Sequence, residues 1–370
     1  MKKLKRFLMK KITFFLLFIS QVSFTQSDLL QQTLQTIDLK EDTDTIQAVF
    51  SWIADNIRYD VKELNKMKNK KSSDNSSDDY KNLAEKKADI IEHALKYKKG
   101  VCEEYASLFD AMVRELGYES YIIQGYTKKS NGNLNRGLGH VWNTVKVNGK
   151  WKLYDPTWGA GSVRDGKRFI REYKPQWYEV DPEEMIKTHM PFDPIWQLRE
   201  PIQYKIFEEN LPVKISETPY NSESLIAQHF QQGEKSQLEG QLKRSQQLGE
   251  GTSLLKRWRK RLSKSISLHG INSKVDQLNN ANDEFNQGAK LFNKFITAQK
   301  KQFKGEKYTV QSAERNLQEA KKLVSSAHEV YNSVEVEDRR GKKSVKDAIA
   351  HSEKLLSEIN RGLAFLAKRK

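Results

Sequence analysis

The sequence predicts an α+β fold, with helices packed on an antiparallel sheet, followed by an all-α helical bundle. Three observations carry that expectation. Two apolar stripes with helical spacing precede Gly117, a hairpin signature sits at Asn148-Gly149, and three more helical stripes fill the C-terminal part of the 370 residues.

In chain order, Lys2, Lys3, Lys5, Arg6, Lys10 and Lys11 precede the apolar run Ile12–Ile19, and small and polar residues lead to a cleavage zone near Ser23–Gln26. That layout predicts a signal peptide over 1–25 and export to the periplasm, cell surface or medium. The run is too short to span a bilayer, and no cysteine follows it to take a lipid. Six of the sixteen net positive charges belong to the leader, which leaves about ten on the mature chain. Such a balance favours acidic partners or an anionic envelope surface, and no nucleic acid is expected of an exported chain.

The mature chain divides into a first domain over 26–215, a linker with a basic cluster over 216–272, and a three-helix bundle over 273–370. Ile46, Val49, Phe50, Ile53 and Ile57 form the first stripe, with Asp42 and Asp44 as candidate caps. Lys66–Asp79 is strongly polar and reads as a solvated loop. Leu83–Leu95 reads as a helix leading into Gly100. From there Val101, Tyr105, Leu108, Phe109, Met112, Val113 and Leu116 mark a second buried face, closed by Gly117.

Tyr118–Tyr126 reads as a strand and Lys128–Gly139 as a loop. His140–Val147 and Lys150–Asp155 then flank Asn148-Gly149, the strongest short hairpin signal, and Pro156 ends the second strand. Phe169–Val180 offers further edge strands, and Pro191–Leu198 closes the domain. Ser216–Gly251 is rich in Ser, Gln, Glu and Gly with weak periodicity and reads as a linker, helical in part, and Lys256–Leu262 sets five basic residues around Trp258, either a contact for an anionic envelope surface or a solvated helical turn. The bundle stripes are Val275–Phe303, Val310–Val334 and Val345–Leu366, separated at Gly305 and at Glu337–Gly341.

Cys102 is the single cysteine, so the chain forms no internal disulfide. It lies in the first turn of its helix, where unpaired N–H groups and the helix dipole favour a thiolate. A nucleophilic thiol needs a base and a group that orients the base. Of seven histidines, His229, His269, His328 and His351 fall in the linker or tail and His93 has a polar helical setting, while His189, in an irregular segment, stays open as a candidate. His140 stands out because of the hairpin. If Asn148-Gly149 is a two-residue turn, Val147 faces Lys150 and Trp142 faces Asp155. His140 and Asp155 are then diagonal neighbours on one sheet face, about 7–8 Å apart at Cβ, which suits a carboxylate accepting from imidazole Nδ1–H. Trp142, Trp151 and Leu153 share that face and shield the bond from water.

Three motifs resemble the core of the transglutaminase-like superfamily: Lys99-Gly100-Val101-Cys102-Glu103-Glu104-Tyr105-Ala106, Gly139-His140-Val141-Trp142-Asn143, and Trp151-Lys152-Leu153-Tyr154-Asp155-Pro156-Thr157-Trp158-Gly159. The branch is that of kyphoscoliosis peptidase and yeast cytokinesis protein 3, and the resemblance covers roughly residues 40–210. It implies a papain-like core in which Cys102 is the nucleophile, His140 the base and Asp155 its orienter. The implied activity is acyl transfer or hydrolysis at peptide or glutamine amides of a protein or peptide substrate. The alternative is a catalytically inactive binding or scaffold protein of the cell envelope on the same fold. No acidic loop has calcium-ligand spacing, so neither a metal nor a cofactor is expected.

Overall fold

The computed structural model describes residues 26–39, 44–69, 83–129, 131–135, 138–212, 220–305 and 309–369. The expected leader and most of the expected polar loop after residue 69 lie outside them. The chain forms two compact units, which meet between Ser263 and Lys264.

In the first unit the helices are α1 (Gln26–Gln35), α2 (Thr45–Asn56), α3 (Val61–Asn69), α4 (Leu83–Tyr97) and α5 (Cys102–Glu115). Asp44 caps α2 by accepting from the Ile46 and Gln47 amides. Both predicted stripes are buried: Val49, Phe50 and Ile53 of α2 share a core with Tyr105, Leu108, Phe109 and Met112 of α5. Gly117 closes α5 with φ +89°, while the Tyr118 amide bonds Val113 O and the Gly117 amide bonds Arg114 O. Those paired bonds are the Schellman arrangement, which wants a residue without Cβ in the left-handed region. Two short parallel strands, β1 (Arg58–Tyr59) and β2 (Lys99–Gly100), bring the end of α2 alongside the start of α5.

The main sheet has β3 (Ser120–Thr127), β4 (His140–Val147), β5 (Lys150–Tyr154) and β8 (His189–Pro191) in the order β5-β4-β3-β8, all antiparallel. Asn148 and Gly149 have φ +50° and +80°, a two-residue turn with both central residues left-handed. Val147 pairs with Lys150 and Asn143 with Tyr154, as the turn predicts. Between β5 and β8 lie α6 (Pro156–Gly159), the hairpin β6 (Gly161–Arg164) and β7 (Arg168–Arg171), and α7 (Pro182–Met185). The edge strands expected over Phe169–Val180 reduce to β7 and a single bridge between Leu153 and Val180.

Alternation splits the sheet. Val145 and Tyr154 pack with α5, and Asn143 Nδ2 donates to Ala106 O of that helix. Trp142, Trp151 and Leu153 turn to the other face and form a second cluster with Ile123 and Trp196. The helix that carries Cys102 therefore covers the face opposite the His140 side.

Of the residues read as a linker, those up to Ser263 fall within the first unit and include helices. After α8 (Tyr204–Glu208) come α9 (Ser222–Gln231), α10 (Glu234–Gln247) and α11 (Ser253–Lys300). Arg244 of α10 makes two bonds to Asp193, of 2.8 and 2.7 Å, and Arg259 Nε donates to Ser245 Oγ. Trp258 is buried and stacks on Phe192 at 5.4 Å. The tryptophan of the basic cluster thus faces the protein core, because its ring gains more from that contact than from solvent.

The second unit consists of the rest of α11 with α12 (Val310–Ser333) and α13 (Arg339–Ala367). Ala313, Leu317, Ala320 and Val324 pack with Phe295, Ile359 and Leu366. A Cβ on Gly362 would sit 2.9 Å from Leu317 and 3.0 Å from Phe295, so the glycine lets three helices meet. The first stripe is rotated from the expected one: Val275 is exposed, while Ala281, Phe295 and Ala298 are buried.

Candidate active site

Each residue singled out from the sequence sits where one element begins or ends. Cys102 is the first residue of α5 and is half-buried. Its approach is fixed from both sides: Glu104 Oε2 accepts from the Val101 amide at 2.8 Å, and a Cβ on Gly100 would lie 2.3 Å from Glu104 Cβ. His140 is the first residue of β4 and pairs with Gly125 of β3. Asp155 follows β5 directly and caps α6, its Oδ1 accepting from the Thr157 and Trp158 amides at 2.9 Å each.

The other carboxylate oxygen, Oδ2, lies 2.7 Å from His140 Nε2 and 3.0 Å from His189 Nε2. The hairpin offset predicts the carboxylate on Nδ1; the structure has it on Nε2, which leaves Nδ1 as the ring nitrogen available to Cys102, whose interaction with the ring also favours the imidazolium. Helix and sheet make this possible at their ends. The body of α5 packs on the Val145 face, and only its first residue reaches the imidazole at the start of β4.

His189 was not singled out from the sequence. It opens β8, opposite Thr127, and its Nδ1 is 2.7 Å from Thr188 Oγ1. Three residues ending on a proline give no period that a sequence reading can use. The shielding also differs from expectation. Trp142 lies beside His140, at 6.0 Å between rings, but Trp158 at 5.8 Å and Trp177, against His189 at 5.2 Å, complete the wall. Trp151 and Leu153 lie deeper in the neighbouring cluster.

Burial sets opposite protonation states on the two rings. For His140, burial alone favours the neutral form, but the Asp155 charge and hydrogen bond, then Cys102, override it and push the pKa up to about 10. For His189, burial dominates and lowers it to about 4, despite its bond to Asp155. Burial works against the Asp155 anion, yet His140 and His189 hold its carboxyl well below the usual carboxylate range. At neutral pH the set is an imidazolium, a carboxylate and a neutral imidazole.

The arrangement opens into a cleft of about 980 Å³, lined by Cys102, His140 and Trp158 and, on its walls, Tyr59, Leu134 and Phe169. Burial first, and Cys102 next, raise the Tyr59 phenol above its ordinary range, so it remains a donor beside the thiol. Among the described residues, His140, Asp155 and His189 are the cluster whose donor atoms converge closely enough to hold a metal ion. Here the two imidazole nitrogens share one carboxylate oxygen, so each of those atoms has a hydrogen-bond role without a metal.

Residues 31–156, which include Cys102, His140 and Asp155, match the family model described as transglutaminase-like superfamily. Kyphoscoliosis peptidase of Mus musculus is 30% identical over 182 residues, covering 48% of this chain and 24% of that protein. The Homo sapiens protein of the same name is 29% identical, covering 50% and 25%. The Lim and transglutaminase domain protein ltd-1 of Caenorhabditis elegans is 25% identical, covering 43% and 21%. The chain thus spans no more than a quarter of the length of these relatives.

Proposed function

From a chain whose residues 31–156 form a transglutaminase-like domain, we propose a cysteine acyltransferase or hydrolase acting on amides of protein or peptide substrates. One observation carries the reading: His140 Nε2 lies 2.7 Å from Asp155 Oδ2, and Cys102, at the start of α5, lines the same cleft as that ring. His140 has taken the thiol proton onto Nδ1 before substrate arrives, as its imidazolium form requires, and the sulfur attacks the amide carbonyl as the thiolate, forming a C–S bond and an oxyanion. As the oxyanion collapses, the C–N bond breaks and the imidazolium gives its proton to the departing amine. Water or a second amine then attacks the thioester, with His140 again as base, and the thiol is restored. Asp155 stays ionised and holds the ring in position. The Cys102 backbone N–H, at the helix start, is the candidate donor to the oxyanion.

Alkylation by iodoacetamide across pH tests the reading in the full chain. His140→Ala and Asp155→Ala are each expected to slow Cys102 modification at pH 6–7 by about tenfold or more. A thiol that reacts with a midpoint near pH 8.5, like a free one, and ignores both substitutions leaves only the inactive scaffold. With an activated thiol, a glutamine peptide and a labelled amine separate transfer from hydrolysis. We also propose, from residues 2–26 alone, that the chain is exported and its leader removed. The mature N-terminus should then begin near Gln26, and a chain retained in the cytosol with Met1 in place overturns this.

A further inference from the structure

The oxygen that orients His140 has a second imidazole on it. Asp155 Oδ2 lies 2.7 Å from His140 Nε2 and 3.0 Å from His189 Nε2. An ionised carboxylate only accepts, so both rings must donate to it. In a neutral His189 the proton is then on Nε2, and the bare Nδ1 faces Thr188 Oγ1 at 2.7 Å, where the hydroxyl donates. Geometry thus selects the tautomer, and the protons run in one direction, from Thr188 to His189 to Asp155. His189 is 1% exposed, with ring contacts to Trp142, Trp158 and Trp177. Space-filling there needs an aromatic ring but not a nitrogen aimed at a carboxylate.

We propose that His189 is a positioning residue of this site: its Nε2–H fixes Asp155 Oδ2, and through it the ring of His140. The inference rests on the cysteine-enzyme reading above. Asp155 is held at four points, two backbone amides on Oδ1 and two imidazoles on Oδ2, and His189 is the hold that comes from the opposite edge of the sheet. This gives the edge strand β8 a task, since its pairing with β3 sets where His189 stands. Without that donor the carboxylate can turn about its remaining bonds, and displacements on the order of 1 Å cost up to about a hundredfold in rate.

The test compares alkylation of Cys102 by iodoacetamide, across pH, in the full-length wild type, His189→Phe, His189→Gln, Thr188→Val and His140→Ala. Phenylalanine keeps the volume and loses the donor; glutamine keeps an N–H near Nε2 and loses the ring. A positioning role predicts about a tenfold slower reaction in His189→Phe and a rate within about threefold of wild type in His189→Gln. A space-filling role predicts the reverse order. The acid limb should also move to higher pH in His189→Phe but not in His189→Gln, because only phenylalanine removes a bond that favours the Asp155 anion. The titratable groups that bear on Asp155 are His140 from β4 and His189 from β8, both hydrogen-bonded to it, and Tyr59 from β1, which feels its charge; Cys102 from α5 acts on His140. If His140→Ala matches wild type, the enzyme reading itself fails. If His140→Ala is slow and His189→Phe reacts like wild type, this proposal alone fails. Should His189→Phe not fold, by circular dichroism, Thr188→Val decides: it keeps the ring, and a rate equal to wild type overturns the proposal.

Discussion

His140 and His189 share one carboxylate oxygen and titrate in opposite directions, so stability should depend on pH from both sides. His140 has its pKa raised from 6.5 to about 10, and its contribution is fully present below pH 6.5 and lost as pH rises toward 10. His189 is lowered to about 4, so between pH 6.5 and 4 the unfolded chain takes up a proton that the folded ring refuses, and stability falls. Asp155, held below its ordinary value, adds a loss only as pH drops past 3.8. Thermal melts from pH 4 to 10 should therefore peak near pH 6.5. In His189→Phe the decline from pH 6.5 to 4 should flatten, and a wild-type melting temperature still rising at pH 9 contradicts these assignments. At this scale Cys102, His140 and Asp155 were legible as candidates because their hairpin and helix offsets are local. The place of His189 and the Nε2 contact were not, since they depend on a strand arriving from 34 residues beyond Asp155.

The start of α5 is the element on which the site turns. Val101 caps it without a side-chain acceptor, so Glu104 reaching back to the Val101 amide is the cap in practice. That reach requires Gly100 to lack a side chain, since a Cβ would lie 2.3 Å from Glu104 Cβ. Gly100→Ala is expected to lower stability by about 1–3 kcal/mol, read from the urea midpoint, and to slow Cys102 alkylation as the first turn shifts. An unchanged midpoint means the turn relaxes freely. The hairpin was legible because Asn148 and Gly149 occupy φ values that few residue pairs accept, and this fixes the register with no tertiary help. Which sheet face α5 covers was not legible, because both faces of β4 carry buried residues and each mixes apolar with polar ones, Trp142 with His140 and Thr144 on one and Val145 with Asn143 on the other.

At the scale of the whole molecule, the boundary between units falls within α11 rather than in a loop. A fragment from Lys264 to the C-terminus should be helical by circular dichroism and melt cooperatively, since Phe295, Leu317, Val324, Ile359 and Leu366 bury one another within it. Leu317→Ala should cost that fragment about 2–5 kcal/mol, and a fragment without helical signal rules out an independent bundle. The stripes of α12 and α13 were readable because every third or fourth residue is apolar. The helices α9 and α10 were not, because they are held by separate anchors such as Ile226 and the Arg244–Asp193 pair, which leave no period.

By itself the sequence determined the fold class, the hairpin register and two of the three bundle stripes, and singled out Cys102, His140 and Asp155 as candidates. Those are consequences of spacing within one helix or one hairpin, where the geometry of the backbone converts offset into direction. Only the tertiary structure decided which imidazole nitrogen meets Asp155, which face α5 covers, that residues to Ser263 extend the first unit, and that His189 joins the set. Each of these depends on contacts between distant segments, whose selection comes from burial and hydrogen-bond satisfaction over the whole fold rather than from any local pattern.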